Sequence, residues 1–222
     1  MTAHTLFKRL VTGVPVAAVA TLALAAGTPA TAVARDRCQA EGSRTEEASR
    51  YARVYSVRRV QDDAVTRRWY ACLYSAGRRV HLGTVGPAGE LSDRIAPVRL
   101  AGRHVAFSAE FTASTGDALG AVVAVRNLRT GAFVSRFQSP GDPNTYDVTD
   151  LELSTNGSVA WVARIIQGTP VTTAFEVRAF PAADARSTIL DSDPAIAPRS
   201  LALAGTTLYW TNESAPRSAT LG

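Results

Sequence analysis

The segment LALAGTTLYW (residues 201–210) has the same shape as VRLAGRHVAF (residues 98–107), about a hundred residues earlier in the chain. In both segments a short run of apolar and small residues leads to a glycine, and a second apolar-rich run follows it. Strands with one buried face alternate apolar and polar residues, and a glycine between two such runs favours a hairpin. The two segments therefore predict the same hairpin at two places in the fold.

The second half of this hairpin recurs at intervals close to fifty residues, in four copies: RYARVYSV (50–57), GRHVAFSAEF (102–111), GSVAWVARI (157–165) and GTTLYWTN (205–212). A further strand follows each of the first three copies at a similar interval, as WYACLYSAG (69–77), VVAVRNLRTG (122–131) and AFEVRAFPAAD (174–184). Outer strands then follow, and no helical period separates them. Each unit predicts about four short antiparallel strands.

A four-stranded sheet of this size cannot bury its own apolar faces, so units that repeat every forty to fifty residues are expected to stack around a common axis. The sequence predicts an all-β, β-propeller-like domain of about four antiparallel blades over residues 48–222. The first blade is expected to lack an inner strand, because residues 35–47 (RDRCQAEGSRTEE) are polar, and the last to lack an outer strand. The ring is accordingly expected to be incomplete or open. A β-sandwich with a similar number of strands is the alternative fold.

The N-terminus predicts a signal peptide over residues 1–34. Lys8 and Arg9 precede an apolar run, and Ala32-Val33-Ala34 fits the small-residue pattern of a cleavage site, with the cut expected after Ala34. No later segment is long and apolar enough to span a membrane. We therefore expect a secreted, extracellular protein with no membrane span after cleavage.

The two cysteines, Cys38 and Cys72, predict one disulfide, because exported proteins mature in an oxidising compartment. The bond would close a loop of about 35 residues, which the chain-entropy account values at about 4 kcal/mol. It is expected to join the polar N-terminal segment to the first strands.

Charge does not indicate nucleic-acid binding. The formal net charge of +5 falls to about +3 when Lys8 and Arg9 leave with the signal peptide. Lys8 is the only lysine, and the arginines are scattered without a basic stripe interleaved with aromatic residues. The excess of arginine and alanine is typical of a GC-rich genome such as that of an actinobacterium.

No catalytic residue is assigned. His81 and His104 are expected to be exposed at strand ends, and no G-x-S-x-G elbow gives a nucleophile its usual context. The tryptophans Trp69, Trp161 and Trp210 fall within predicted strands, as do Tyr55 and Tyr209, and are expected to form blade cores.

The segment GDPNTYDVTD (residues 141–150) is the best metal candidate in the chain. It is expected to be a loop between blades, and it brings together four oxygen ligands of the kind that Ca²⁺ prefers: Asp142, Asn144, Asp147 and Asp150. The same residue types are also common in ordinary turns. No other cofactor is expected.

The repeats together resemble the loose WD40-like and TolB-like group of exported bacterial β-propellers, over roughly residues 48–221. The closing LYWTNESAPRSATLG (residues 208–222) is similar to the end of secreted actinobacterial propellers. The Trp-Asp dipeptide and the aspartate-rich signature of that group are absent from the sequence. The resemblance implies a fold and an extracellular location, with no catalytic residue to carry over.

Three functions follow as hypotheses. The first is an exported, non-catalytic binding or interaction module whose loops hold an unknown protein or carbohydrate ligand. The second is a secreted enzyme, a hydrolase or lyase acting on glycans, with loop carboxylates such as Asp117, Asp142 or Asp147. The third is a fragment of a larger propeller assembly.

Overall fold

The structure is a computed structural model of the 222-residue chain, and it describes residues 37–61, 63–86, 92–112, 119–139, 145–168, 170–184 and 186–222. Within these ranges the chain forms fifteen strands and no helix. None of the described residues therefore belongs to a helix that could cross a membrane. The predicted signal peptide lies outside the described residues and stays a prediction.

The strands form four antiparallel sheets, and each sheet takes its strands in chain order. The first contains β1 (Ser43–Ala48), β2 (Ala52–Gln61), β3 (Ala64–Leu73) and β4 (Arg78–Val85). The second contains β5 (Arg94–Ala101), β6 (His104–Thr112), β7 (Leu119–Asn127) and β8 (Phe133–Gln138). The third contains β9 (Thr145–Leu153), β10 (Val159–Gln167), β11 (Thr172–Phe180) and β12 (Thr188–Asp193). The fourth contains β13 (Ala202–Ala204), β14 (Thr207–Asn212) and β15 (Ala215–Thr220).

The two repeated segments form equivalent hairpins. Residues 98–107 cover the turn between β5 and β6, and residues 201–210 cover the turn between β13 and β14. Gly102 and Gly205 lie in these turns with φ of 56° and 61°. A side chain would strain the backbone there, which is why glycine ends the first run in both copies.

The sheets pack face to face in series. Alternation along β6 sends Phe107 into a core shared with Trp69 of the first sheet, while Ala106 joins a core shared with Trp161 of the third sheet. A third core joins Val162 of the third sheet to Trp210 of the fourth. The second and third sheets are therefore covered on both faces, as propeller blades are.

The arrangement is an open, propeller-like ring. No apolar core joins the described residues of the fourth sheet to those of the first, and Tyr209 on the outer face of the fourth sheet is 43% exposed. Four sheets in series also differ from the two layers of a β-sandwich. The all-β, propeller-like prediction is confirmed, with a fourth blade of three strands among the described residues.

The prediction that the first blade lacks an inner strand is wrong. Residues 43–48 form β1, which pairs antiparallel with β2 and carries a bulge at Glu46. All six of its side chains are exposed or half-buried, and Ser56 donates a hydrogen bond to Glu46 Oε1 at 2.6 Å. Because this strand buries little apolar surface, it shows no hydrophobic alternation in the sequence.

The predicted disulfide between Cys38 and Cys72 is present. Both cysteines are fully buried, in a small core with Tyr55 and Val57 on the outer face of the first sheet. The bond fastens the segment before β1 across the end of β3.

Candidate functional site

The first strands of the second and third blades, β5 and β9, and the segment just before β13 line a groove of about 500 Å³, which we call the axial groove. Inner strands surround the axis of a propeller, so their polar side chains collect there. The lining residues are Arg94, Pro97, Arg99, Asp147, Val148, Thr149, Asp150, Arg199 and Leu201.

A bulge in β9 shapes the wall that the third blade contributes. Asp150 pairs with Val162 but Val148 pairs with Ala163, so Thr149 is the extra residue. A bulge lets adjacent residues escape strict alternation, and both Thr149 and Asp150 line the groove. Thr149 Oγ1 donates to the carbonyl of Pro198 at 2.6 Å, and Asp150 Oδ2 accepts from the Leu201 N–H at 3.0 Å. These bonds hold the start of the fourth blade against the third.

Arg94 is the centre of the charge network on one side of the groove. Its Nε donates to Glu110 Oε2 at 2.8 Å and its Nη2 to Asp147 Oδ1 at 2.8 Å, while Arg164 Nη2 donates to Asp147 Oδ2 at 2.8 Å. Hydrogen bonding to Glu110 is the main reason that the pKa of Arg94 is raised. Burial, with the nearby charge of Asp147, raises the pKa of Glu110. Two carboxylates and two guanidinium groups thus neutralise one another.

Arg99 makes looser contacts further along the groove. Its Nη2 lies 3.5 Å from Asp150 Oδ1, and its Nε lies 3.7 Å from Glu152 Oε1. Burial raises the pKa of the Glu152 carboxyl, and Arg99 opposes that shift. These distances are long for charge-assisted hydrogen bonds.

Arg199 differs from the other charged residues of the groove. It is exposed, and it has no hydrogen bond or ion pair with any residue that the structure describes. It lies two residues before Leu201, whose backbone N–H is fixed by Asp150. Arg199 is therefore the one guanidinium of the groove lining without a partner among the described residues, and the backbone two residues after it is held in place by Asp150.

Two of the four predicted calcium ligands lie among the described residues. Asp147 and Asp150 lie within strand β9, and Asp142 and Asn144 lie outside the described residues, as does Asp117. No group of three or more histidine, cysteine or acidic side chains among the described residues is placed to hold a metal. A calcium ion would have to compete with Arg94 and Arg164 for Asp147, and the calcium site stays a prediction.

The expectation for His104 is wrong, because this histidine is only 3% exposed. Its Nδ1–H donates to the carbonyl of Thr155 at 3.0 Å, in the turn between β9 and β10. His81 is exposed on β4, as expected. His104 thus ties the second blade to the third and has no place in the groove.

Sequence reasoning missed the arginines of the groove, although one signal was available. The repeated inner-strand triplets Val98-Arg99-Leu100 and Leu151-Glu152-Leu153 carry opposite charges at the same central position. In the structure these two central residues face each other in adjacent blades.

No family model matches the chain, and no curated protein matches it. Among solved structures, a polysaccharide lyase, Uly1, is 13% identical with a TM-score of 0.47, over 81% of this chain and 47% of the lyase. The β-propeller domain of the Trilobed protease from Pyrococcus furiosus, described as having an open velcro topology, is 8% identical with a TM-score of 0.33. That match covers 78% of this chain and 64% of the protease domain. The chain spans less than two thirds of the length of either structure. The propeller-like architecture is inferred from the sheet order and packing of this chain.

Proposed function

We propose that this protein is an exported, non-catalytic binding module, and that the axial groove holds an anionic group of its ligand. The free guanidinium of Arg199 carries this proposal, because every acidic residue that lines the groove is already engaged by arginines or backbone N–H groups. A guanidinium offers forked donors that match a carboxylate or a sulfate. A ligand group of that kind would pair with the one arginine of the groove lining that has no partner among the described residues.

Two further features support the proposal. The Cys38–Cys72 disulfide is of the kind that persists in oxidising compartments, which agrees with export. Asp147 and Asp150 are already bonded to arginines or to a backbone N–H, whereas the Arg199 guanidinium is not, so the groove favours an anion over a cation.

An enzyme is less well supported than a binding module. Of the three carboxylates proposed for it, Asp117 and Asp142 lie outside the described residues. Asp147 accepts hydrogen bonds from two arginines, which favour its charged form and occupy both of its oxygens. A general acid needs a raised pKa and a general base needs an accessible oxygen.

The test measures binding of sugar acids by calorimetry to the mature protein and to Arg199→Gln. We expect glucuronate to bind and glucose, its uncharged counterpart, not to bind, with affinity reduced about tenfold or more in Arg199→Gln, as for a charge-assisted hydrogen bond. Arg186→Gln is the matched control, because Arg186 is exposed and lies outside the groove. Equal binding by the two variants, or no binding of any anion by the mature protein, would contradict the proposal.

A further inference from the structure

The outer face of the first sheet, which turns away from the second sheet, carries an aromatic row across three strands. Tyr55 of β2 pairs with Tyr70 of β3, and Tyr70 pairs with His81 of β4. The Tyr55 and Tyr70 ring centroids are 5.6 Å apart and stacked, and those of Tyr70 and His81 are 5.3 Å apart. The row is a rigid platform in the middle of the face.

Arginines lie on both sides of this row. Arg68 pairs with Val57, and Arg59 pairs with Thr66, on one side. Arg53 and Arg79 both pair with Cys72 on the other side. Cys72 lies four residues along β3 from Arg68, which is roughly 13 Å at the rise of a strand. The positive charges therefore extend along the sheet over a distance too long for one small anion.

Three of the four arginines on this face are exposed, whereas Arg53 is half-buried and its Nη2 donates to Ser43 Oγ at 2.6 Å. Arg59 and Arg68 are exposed and have no hydrogen bond or ion pair with any described residue. Arg79 is also exposed, and its Nη2 donates to the carbonyl of Gln39 at 2.8 Å. Residues 39–42 pass over the face and leave a groove of about 590 Å³ whose lining includes Tyr70, Arg59 and Arg79, with Glu41 as the one carboxylate among its described residues. We call this second site the outer-face groove.

Basic and acidic residues are unevenly distributed along the chain, and the excess of basic residues lies in the part that forms the first sheet. Residues 37–86, which contain the first sheet, hold ten arginines and five acidic residues, whereas residues 87–222 hold eleven arginines and thirteen acidic residues. The positive charge of the molecule is therefore concentrated in the first blade, and a polyanion would be drawn to this end of the ring.

We propose that the outer-face groove binds an acidic polysaccharide, a linear sugar polymer whose carboxylate or sulfate groups repeat along its length. Arginines spread along one sheet face match charges that repeat along a polymer. Tyr55 is the covered ring of the platform, since it is 1% exposed and the Arg53 guanidinium lies over it at 4.4 Å. A single-stranded nucleic acid gains much of its affinity from bases stacked on open aromatic rings, and Tyr55 does not offer one.

The test uses heparin as the probe and neutral dextran as its uncharged counterpart, with the full mature protein. We expect heparin to bind at low salt and dextran not to bind, and we expect Arg59→Gln/Arg68→Gln to weaken heparin binding about tenfold or more. The slope of the logarithm of the association constant against the logarithm of the salt concentration should become smaller in magnitude by about two, because two charges are lost, by analogy with phosphate contacts. Arg186→Gln/Arg217→Gln removes the same charge from exposed positions away from the first sheet and should change affinity less than about twofold.

The result that would overturn the proposal is equal weakening by the two double variants, because net charge alone would then explain binding. Tighter binding of oligo-dT than of a heparin oligosaccharide of equal charge would overturn it in favour of a nucleic-acid site. Arg199→Gln should leave heparin affinity unchanged, and Arg59→Gln/Arg68→Gln should leave glucuronate binding in the axial groove unchanged. Failure of one site can thus be told apart from failure of the other.

Discussion

His104 shows how one buried polar side chain can join two blades. Burial is the main reason that the pKa of His104 is lowered, and Arg103 lowers it further, while the bond to the Thr155 carbonyl opposes both. The ring also lies close to Gly157, where an added Cβ would meet His104 Nε2 at 3.5 Å. The folded protein therefore holds this histidine neutral in a confined space.

This arrangement predicts a loss of stability on mild acidification. Below a pH of about 6.5, the ordinary pKa of histidine, the unfolded chain takes up a proton that the folded chain does not, so stability falls from about pH 6.5 down to the lowered pKa and levels off below it. His104→Gln, whose amide can still donate to Thr155, should be slightly less stable at pH 7 and should lose less stability between about pH 6.5 and pH 5. Melting temperatures across this range measure the difference. Parallel curves for the two proteins would show that His104 is not responsible.

Aromatic residues within the blades behave as the sequence predicts in all but one case. Trp69, Trp161, Trp210 and Tyr55 are all at most 9% exposed, and Trp161 Nε1 donates to the Tyr146 hydroxyl at 2.9 Å. Burial raises the pKa of Tyr146 to about 12. Tyr209 is the exception, since it lies on the free face of the fourth sheet, and no local pattern separates it from Trp210, its neighbour in the chain.

At the level of strands, a glycine in β7 makes room for an aromatic ring. Gly120 pairs with Phe111 of β6, and a Cβ on Gly120 would overlap the end of the Phe111 ring. A ring that covers a strand glycine compensates for the packing that the glycine lacks. The pair thus stabilises the end of the β6–β7 hairpin.

We expect Gly120→Ala to destabilise the protein by about 1–3 kcal/mol, as overpacking does, because the ring must move. Replacing the ring as well, in Gly120→Ala/Phe111→Leu, should recover part of that loss, because leucine leaves space for the new methyl group. Urea unfolding of the two single variants and the double variant gives the coupling free energy. Additive effects would mean that Phe111 does not cover Gly120 in solution.

Strands were predictable from the sequence where one or both faces are apolar. The segments VRLAG and LALAG predict inner strands, because in each of them apolar residues alternate with exposed or polar ones and a glycine follows. The apolar residues are Val98, Leu100, Leu201 and Leu203. Strand β1 was missed because SRTEEA presents polar residues on both sides. The bulge at Thr149 was missed for a different reason: bulges depend on the pairing with β10, which no local pattern reports.

The candidate site was less predictable than the fold. The spacing of Asp147 and Asp150 in the sequence suggested a loop that chelates a metal, whereas strand pairing places both residues on β9 beside arginines of other segments. Ion pairs between Arg94 and Asp147 join residues about fifty positions apart. Contacts between residues so far apart in the chain depend on how neighbouring blades pack. The repeat length of the sequence predicts that blades pack together, but it does not predict which side chains meet.

At the scale of the whole molecule, the open seam between the fourth and first sheets exposes two unlike faces. The first sheet presents the arginine-rich face described above. The outward positions of β14 are Thr207, Tyr209 and Thr211, which alternate with the buried Leu208 and Trp210. The fourth sheet therefore ends the ring with an uncharged face.

The substitution Tyr209→Lys, which places a charge on the free face of the fourth sheet, tests whether another copy of the protein covers this face. If the protein is a monomer with an open seam, Tyr209→Lys should change the free energy of unfolding by no more than about 0.5 kcal/mol and leave the size-exclusion elution volume unchanged. Leu208→Ala, on the packed face of the same strand, should cost about 2–5 kcal/mol. A shift of Tyr209→Lys to a later elution volume than that of the wild type would instead show that copies associate through this face.

The open seam also bears on how such a molecule can change in length. In rings that close by sharing a blade between the two chain ends, adding a unit means breaking a strand pair. Here each described sheet is built from consecutive strands of its own. A unit of about fifty residues could be grafted beside the fourth sheet without altering any existing register, so the scaffold is suited to growth by whole blades.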